Sequence, residues 1–152
     1  MLPSGRRLAI DYGDVRIGIA LSDATGLIAT PYKTLINGPD RFLSAIEEIS
    51  QIVMAEDIRV IYIGWPLHLS GAEGISSEKV RAFAKSLEKR LPTSIPIRAL
   101  DERFSTKSVH DEARLSGKKV SRANIDQLAA AAILEFALGA EKVREDLAGH
   151  EF

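Results

Sequence analysis

Leu8-Ala9-Ile10-Asp11-Tyr12-Gly13, followed by Arg16-Ile17-Gly18-Ile19-Ala20-Leu21-Ser22-Asp23, is the stretch that decides the fold. Both halves read as strands, residues 7–13 and 16–22, and the Gly13-Asp14 pair between them is a hairpin signal. Asp11 interrupts a run that otherwise asks to be buried. A carboxylate in such a place is almost always paired or bound to something. Metal-assisted chemistry is the reading that best accounts for it, and a plain turn aspartate is the simpler competitor.

Outward from the hairpin, residues 28–35 read as a third strand, with Pro31 assigning it to an edge or a strand start. Asp40 is placed to cap a helix to about Glu56, with Phe42, Leu43, Ile46, Ile49 and Val53 on one face. Val60-Ile61-Tyr62-Ile63-Gly64 is apolar throughout, as in a strand covered on both faces. A second helix runs from Ser76 or Ser77 to about Arg90, and a strand from Ile95 to Leu100 ends at Asp101-Glu102-Arg103. A short helix from Ser105 or Thr106 to Gly117 follows. A last helix begins at Ser121 or Asn124 and closes at Gly139. Hairpin strands followed by βαβ units predict an α/β, RNase H-like fold. Its sheet is mixed and five-stranded, three strands antiparallel and two parallel, flanked by helices.

The 152 residues suit a single domain over 1–152, with a core at about 7–138 and a C-terminal tail at 139–152. There is no cysteine, which removes disulfides, thiolate metal sites and cysteine nucleophiles. The net charge of −1 argues against a strongly basic nucleic-acid binder, so any such contact must come from a local patch. No apolar run reaches the ~18 residues of a membrane span, and Met1–Arg7 does not lead into a signal peptide. His68, His110 and His150 have no regular spacing and no cysteine partners, which speaks against zinc.

Four acidic residues are the candidate catalytic and metal-binding groups: Asp11 in the first strand, Asp101 and Glu102 at the end of the fifth, and Asp126 in the first turn of the last helix. Ala129–Ala132 give that helix a slim side, so its backbone can approach the sheet. Converging carboxylates repel and need a positive partner. Mg2+ or Mn2+ takes hard oxygen ligands, and two such ions about 4 Å apart suit phosphodiester hydrolysis. Lys107, Arg114, Lys118, Lys119 and Arg122 form the dense basic region and are candidate phosphate contacts. Arg16 and Arg103 are candidates to reach substrate or orient a carboxylate. Singly, each has a bland reading, as a solvated charge or a helix-dipole partner. Trp65 reads as a strand-end anchor before a base-stacking platform.

These motifs resemble the YqgF/RuvX family. The resemblance is carried by Asp11-Tyr12-Gly13 with Arg16–Asp23, by Gly64-Trp65-Pro66-Leu67 with Gly71, by Asp101-Glu102-Arg103-Phe104-Ser105-Thr106, and by Asp126 with Ala129–Leu134. It spans about Arg7 to Leu138. It implies an RNase H-like fold related to Holliday-junction resolvases and a cytoplasmic bacterial nuclease processing the 5′ end of pre-16S rRNA. Pre-ribosomal particles are then expected partners, with a monomer sufficing for a single RNA cut. Three alternatives stand beside it. They are a branched-DNA resolvase, for which a homodimer is expected, an RNA-binding assembly factor without chemistry, and an actin-like kinase hairpin, which would need a second domain.

Overall fold

The computed structural model describes residues 2–66, 74–101 and 122–152. Six strands form one sheet: β1 (Arg6–Tyr12), β2 (Arg16–Ser22), β3 (Ala29–Ile36), β4 (Ile58–Trp65), β5 (Ile97–Asp101) and β6 (His150–Glu151), in the order β3-β2-β1-β4-β5-β6. Three helices are described: α1 (Phe42–Ala55), α2 (Ile75–Glu88) and α3 (Arg122–Arg144). β1 pairs antiparallel with β2 and parallel with β4, and β4 pairs parallel with β5. The mixed antiparallel-then-parallel layout follows from the hairpin and the two crossovers.

The strand alternation divides the core into two layers. Leu8 and Ile10 of β1, Ile17, Ile19 and Leu21 of β2, and Ile61, Ile63 and Trp65 of β4 face α1 and α2. Ala9, Ala20, Val60, Tyr62 and Leu100 face α3. The second set includes Ala9 and Ala20 on the two hairpin strands, and Ala130, Ala131 and Ala137 answer them from the helix. Small residues on both sides let a helix backbone lie close to a sheet.

α1 buries Ala45, Ile46, Ile49, Ile52 and Val53, and α2 buries Ser77, Val80, Phe83, Ala84 and Leu87. Both sets follow the helical period. Leu43 does not join the buried face; it is 79% exposed. Arg41, rather than Asp40, precedes the first turn of α1, and no side chain caps it. Pro31 sits on β3, an edge strand, beside an irregularity in the β2–β3 register.

The expected five strands become six at the C-terminus. α3 does not stop at Gly139 but continues to Arg144 and ends where Glu145 adopts a left-handed φ of 56°. The chain then turns back, and His150–Glu151 adds to β5 as an antiparallel edge. Gly149 permits this: a Cβ there would lie 2.0 Å from the Ala99 carbonyl oxygen. Arg98 fixes the turn by donating from Nε to the Ala148 carbonyl (2.9 Å) and from Nη2 to the Gly149 carbonyl (2.8 Å). A two-residue strand held mainly by one arginine and one glycine leaves no periodic trace in sequence. The tail is thus part of the sheet.

Candidate active site

Asp11 stands at the C-terminal end of β1, directly opposite Gly18 of β2. It follows Ala9 in the alternation and so belongs to the face covered by α3. Residues paired across antiparallel strands share a face, and on that face Gly18 has no side chain. The second turn of α3 occupies the space: a Cβ on Gly18 would meet the Asp126 carbonyl oxygen at 2.0 Å and its carbonyl carbon at 2.3 Å. The backbones at Asp11 and Asp126 are therefore neighbours across one glycine. Gly18 is the residue that sequence reasoning passed over. A glycine inside an otherwise apolar strand does carry a signal, since it marks close backbone approach.

Arg16 lies on the same face, two residues before Gly18. Its Nε donates to Asp126 Oδ2 at 2.7 Å, with the two side chains 32% and 20% exposed. Arg16 thus orients a carboxylate, one of the two roles considered for it.

Asp101 ends β5 and pairs in register with Trp65 of β4. By alternation it follows Ile97 and Ala99, which pack toward α1 and α2, so it falls on the face opposite Asp11. Among the described residues no group of three or more acidic or histidine side chains forms a cluster able to hold a metal. Glu102, Arg103, Lys107, Arg114, Lys118 and Lys119 lie outside the described residues, as do the short helix expected at 105–117, His68 and His110. Arg122 opens α3.

Trp65 is 2% exposed, with Phe152 at 5.3 Å and the Arg81 guanidinium 4.9 Å from its ring centroid. It is an anchor of the strand end. Asp23 closes the β2–β3 turn by accepting from the backbone N–H groups of Leu27 (2.8 Å) and Ile28 (2.9 Å). The Thr25 hydroxyl and these bonds hold its carboxyl well below the usual range.

A hairpin and edge strand leading into parallel strands, with a slim helix laid across the first strand's acidic end, defines an RNase H-like fold of the RuvC type. RuvC from T. thermophilus, solved in complex with a Holliday junction substrate, superposes with a TM-score of 0.61 at 12% identity, over 91% of this chain and 96% of that one. The yeast mitochondrial Holliday junction resolvase Ydc2 gives 0.52 at 14% identity, over 91% and 79%. At the level of sequence, the family model described as "RuvX: Holliday junction resolvase" matches residues 5–140. The chain belongs to the RuvX family. A protein of Leifsonia xyli subsp. xyli is 42% identical over 97% of this chain and 94% of its own length, and one of Streptomyces avermitilis is 42% identical over 91% and 88%. Both carry the name "Putative pre-16S rRNA nuclease".

Proposed function

We propose that the protein is a metal-dependent endonuclease that hydrolyses phosphodiester bonds at the 5′ end of pre-16S rRNA, acting in the cytoplasm. The observation that carries the chemistry is the Asp11–Gly18–Asp126 juxtaposition: the backbone of Asp126 lies against the strand position paired with Asp11, where a bare glycine lets a helix touch the sheet. The name shared by the relatives supports the RNA substrate. Among the described residues no helix is long and apolar enough to cross a membrane.

The donor set fits Mg2+ or Mn2+. Asp11 and Asp126 supply hard carboxylate oxygens, the ligands those ions favour. Asp11, Asp126 and, from the acidic pair at the end of β5, Glu102 are the residues proposed to hold the metal, since Asp101 falls on the opposite face. When bound, the ions would lower the pKa of a water and offset charge on the leaving oxygen. The protein's own contribution is placement. β1 fixes Asp11, Gly18 sets how closely α3 approaches, and Arg16 orients the Asp126 carboxylate. Arg16 also brings a fixed positive charge to a site that must receive a phosphate. Arg103, Lys107, Arg114, Lys118, Lys119 and Arg122 are proposed to grip the flanking backbone, a contribution that weakens steeply with salt.

The test is cleavage of a 16S precursor leader beside a four-way DNA junction, in Mg2+, Mn2+ and chelator. Chelation should abolish cleavage. Asp11→Asn should lower it by more than about 100-fold, beyond the loss expected for a merely supporting group, with an unchanged melting temperature. Unimpaired cleavage by Asp11→Asn would sink the metal mechanism. Cutting of the junction and not of the leader would transfer the assignment to branched DNA.

A further inference from the structure

α3 carries more apolar surface than the sheet takes up. Its inner face is closed by Ala130, Ile133, Leu134 and Ala137, all fully buried. On its outer face a second apolar row runs through Ile125, Leu128, Ala132, Phe136, Gly139 and Val143. Steps of 3, 4, 4, 3 and 4 residues make this row a seam along the helix, the spacing by which one helix packs against another. The seam is roughly 27 Å long at the α-helical rise. Phe136 is 48% and Val143 86% exposed, and Leu128 is exposed on the same side.

Gly139 points independently to a partner for this seam. It lies inside α3, five residues before the helix ends, so it caps nothing. Glycine is the poorest helix former after proline. A neighbouring backbone requires Gly18 and another requires Gly149, whereas a Cβ on Gly139 would meet nothing within 4 Å. Within the described chain an alanine would serve the helix better. A glycine in an exposed seam is what close crossing by another helix backbone asks for.

Charges beside the seam identify the occupant. Glu135 and Lys142 are both exposed and, seven residues apart, stand on one flank of it. A two-fold axis that sets two copies of α3 antiparallel brings this flank of one copy against the same flank of the other. Glu135 of each copy then faces Lys142 of the other when the crossing falls midway between them, beside Gly139. The ion pairs and the glycine demand the same crossing point. A parallel pair puts the two flanks on opposite sides and joins neither charge. The β2–β3 turn widens the surface on this flank: a Cβ on Gly26 would touch Leu138 at 3.8 Å, and the next two residues, Leu27 and Ile28, are exposed. We infer that the outer face of α3 is a homodimer interface, in which two copies cross antiparallel at Gly139 with reciprocal Glu135–Lys142 pairs. One helix and one turn per copy bury less than the roughly 1,600 Å2 of a standard interface, so the dimer is weak and forms with rising concentration. Asp126 points the other way, to Arg16 of β2, so the seam and the candidate active site are separate surfaces of α3.

The test is sedimentation velocity on the full-length protein, without nucleic acid, from about 5 to 500 µM. The average mass should rise from monomer toward dimer across that range. Val143→Glu should weaken association by at least about tenfold, since the new charge enters the interface twice. Its position is so exposed that the melting temperature of the dilute protein should not move. Glu135→Lys or Lys142→Glu alone should weaken association roughly three- to tenfold, and the double exchange should restore it. Gly139→Leu, a better helix former, should raise the dilute melting temperature and still weaken the dimer. A monomer at every concentration overturns the interface, as does a dimer that Val143→Glu and Gly139→Leu leave intact. A dimer lost in both single charge variants and not regained in the double variant overturns the antiparallel crossing.

Discussion

Gly18 shows how much of this site depends on an absent side chain. Its Cα pairs with Asp11, and its open face receives the backbone of Asp126. Gly18→Ala would place a methyl group 2.0 Å from a carbonyl oxygen, a separation that only movement of α3 relieves. Overpacking of this kind costs about 1–3 kcal/mol, and the displaced helix carries Asp126 away from Asp11 and strains its 2.7 Å bond to Arg16. We expect a lower melting temperature together with a loss of cleavage larger than that stability change explains, because the fraction that remains folded still has separated carboxylates. A thermal melt and a cleavage assay on the same preparation check this; full activity in a normally stable Gly18→Ala protein would refute it. Asp11 was legible in sequence because a charge inside an apolar run is conspicuous. Gly18 lay within the same motif but was silent about its partner, since a missing side chain does not name what fills its place.

At the scale of the element, β5 sets the face on which Asp101 falls. Leu100 packs toward α3, whereas Ile97 and Ala99 pack toward α1 and α2, so Asp101 falls on the α1 and α2 side and the next position in the alternation is the one for Asp11's side. Glu102→Gln is therefore expected to reduce cleavage far more than Asp101→Asn. The comparison is best made as kcat at saturating Mg2+, with KM for substrate measured alongside. The reverse order would show that the strand's alternation breaks at its end. The sequence states the period of a strand plainly, yet it does not say which phase faces which layer. That phase is set by the register Trp65↔Asp101, a contact between segments joined by a whole crossover. The short β6 was illegible for a related reason. It exists through Gly149 and Arg98 rather than through any pattern of its own.

Across the whole molecule, the second core layer is locked by polar groups that join the first strand, the long helix and the C-terminal return. Arg7 of β1 and Glu141 of α3 form an ion pair at 2.8 Å with both side chains only 5% exposed. Tyr62 of β4 lies fully buried beside them, and its hydroxyl accepts from the Ala148 N–H at 3.1 Å. Burial pushes the Tyr62 phenol up to about 12, and the nearby Glu141 carboxylate acts in the same direction. The unfolded chain releases that proton near 10, so between about pH 10 and pH 12 the unfolded state binds fewer protons than the native one. Stability must then fall as pH rises through this window and level off above it. Urea titrations at successive pH values measure the slope, and Tyr62→Phe, which keeps the ring and has nothing to ionise, should flatten it. The same variant leaves the Ala148 N–H without its acceptor, so it starts from a lower stability at neutral pH. A Tyr62→Phe protein with the wild-type alkaline slope would place the ionising group elsewhere. The expected pattern is a Tyr62→Phe protein weaker at pH 7 and less sensitive above pH 10.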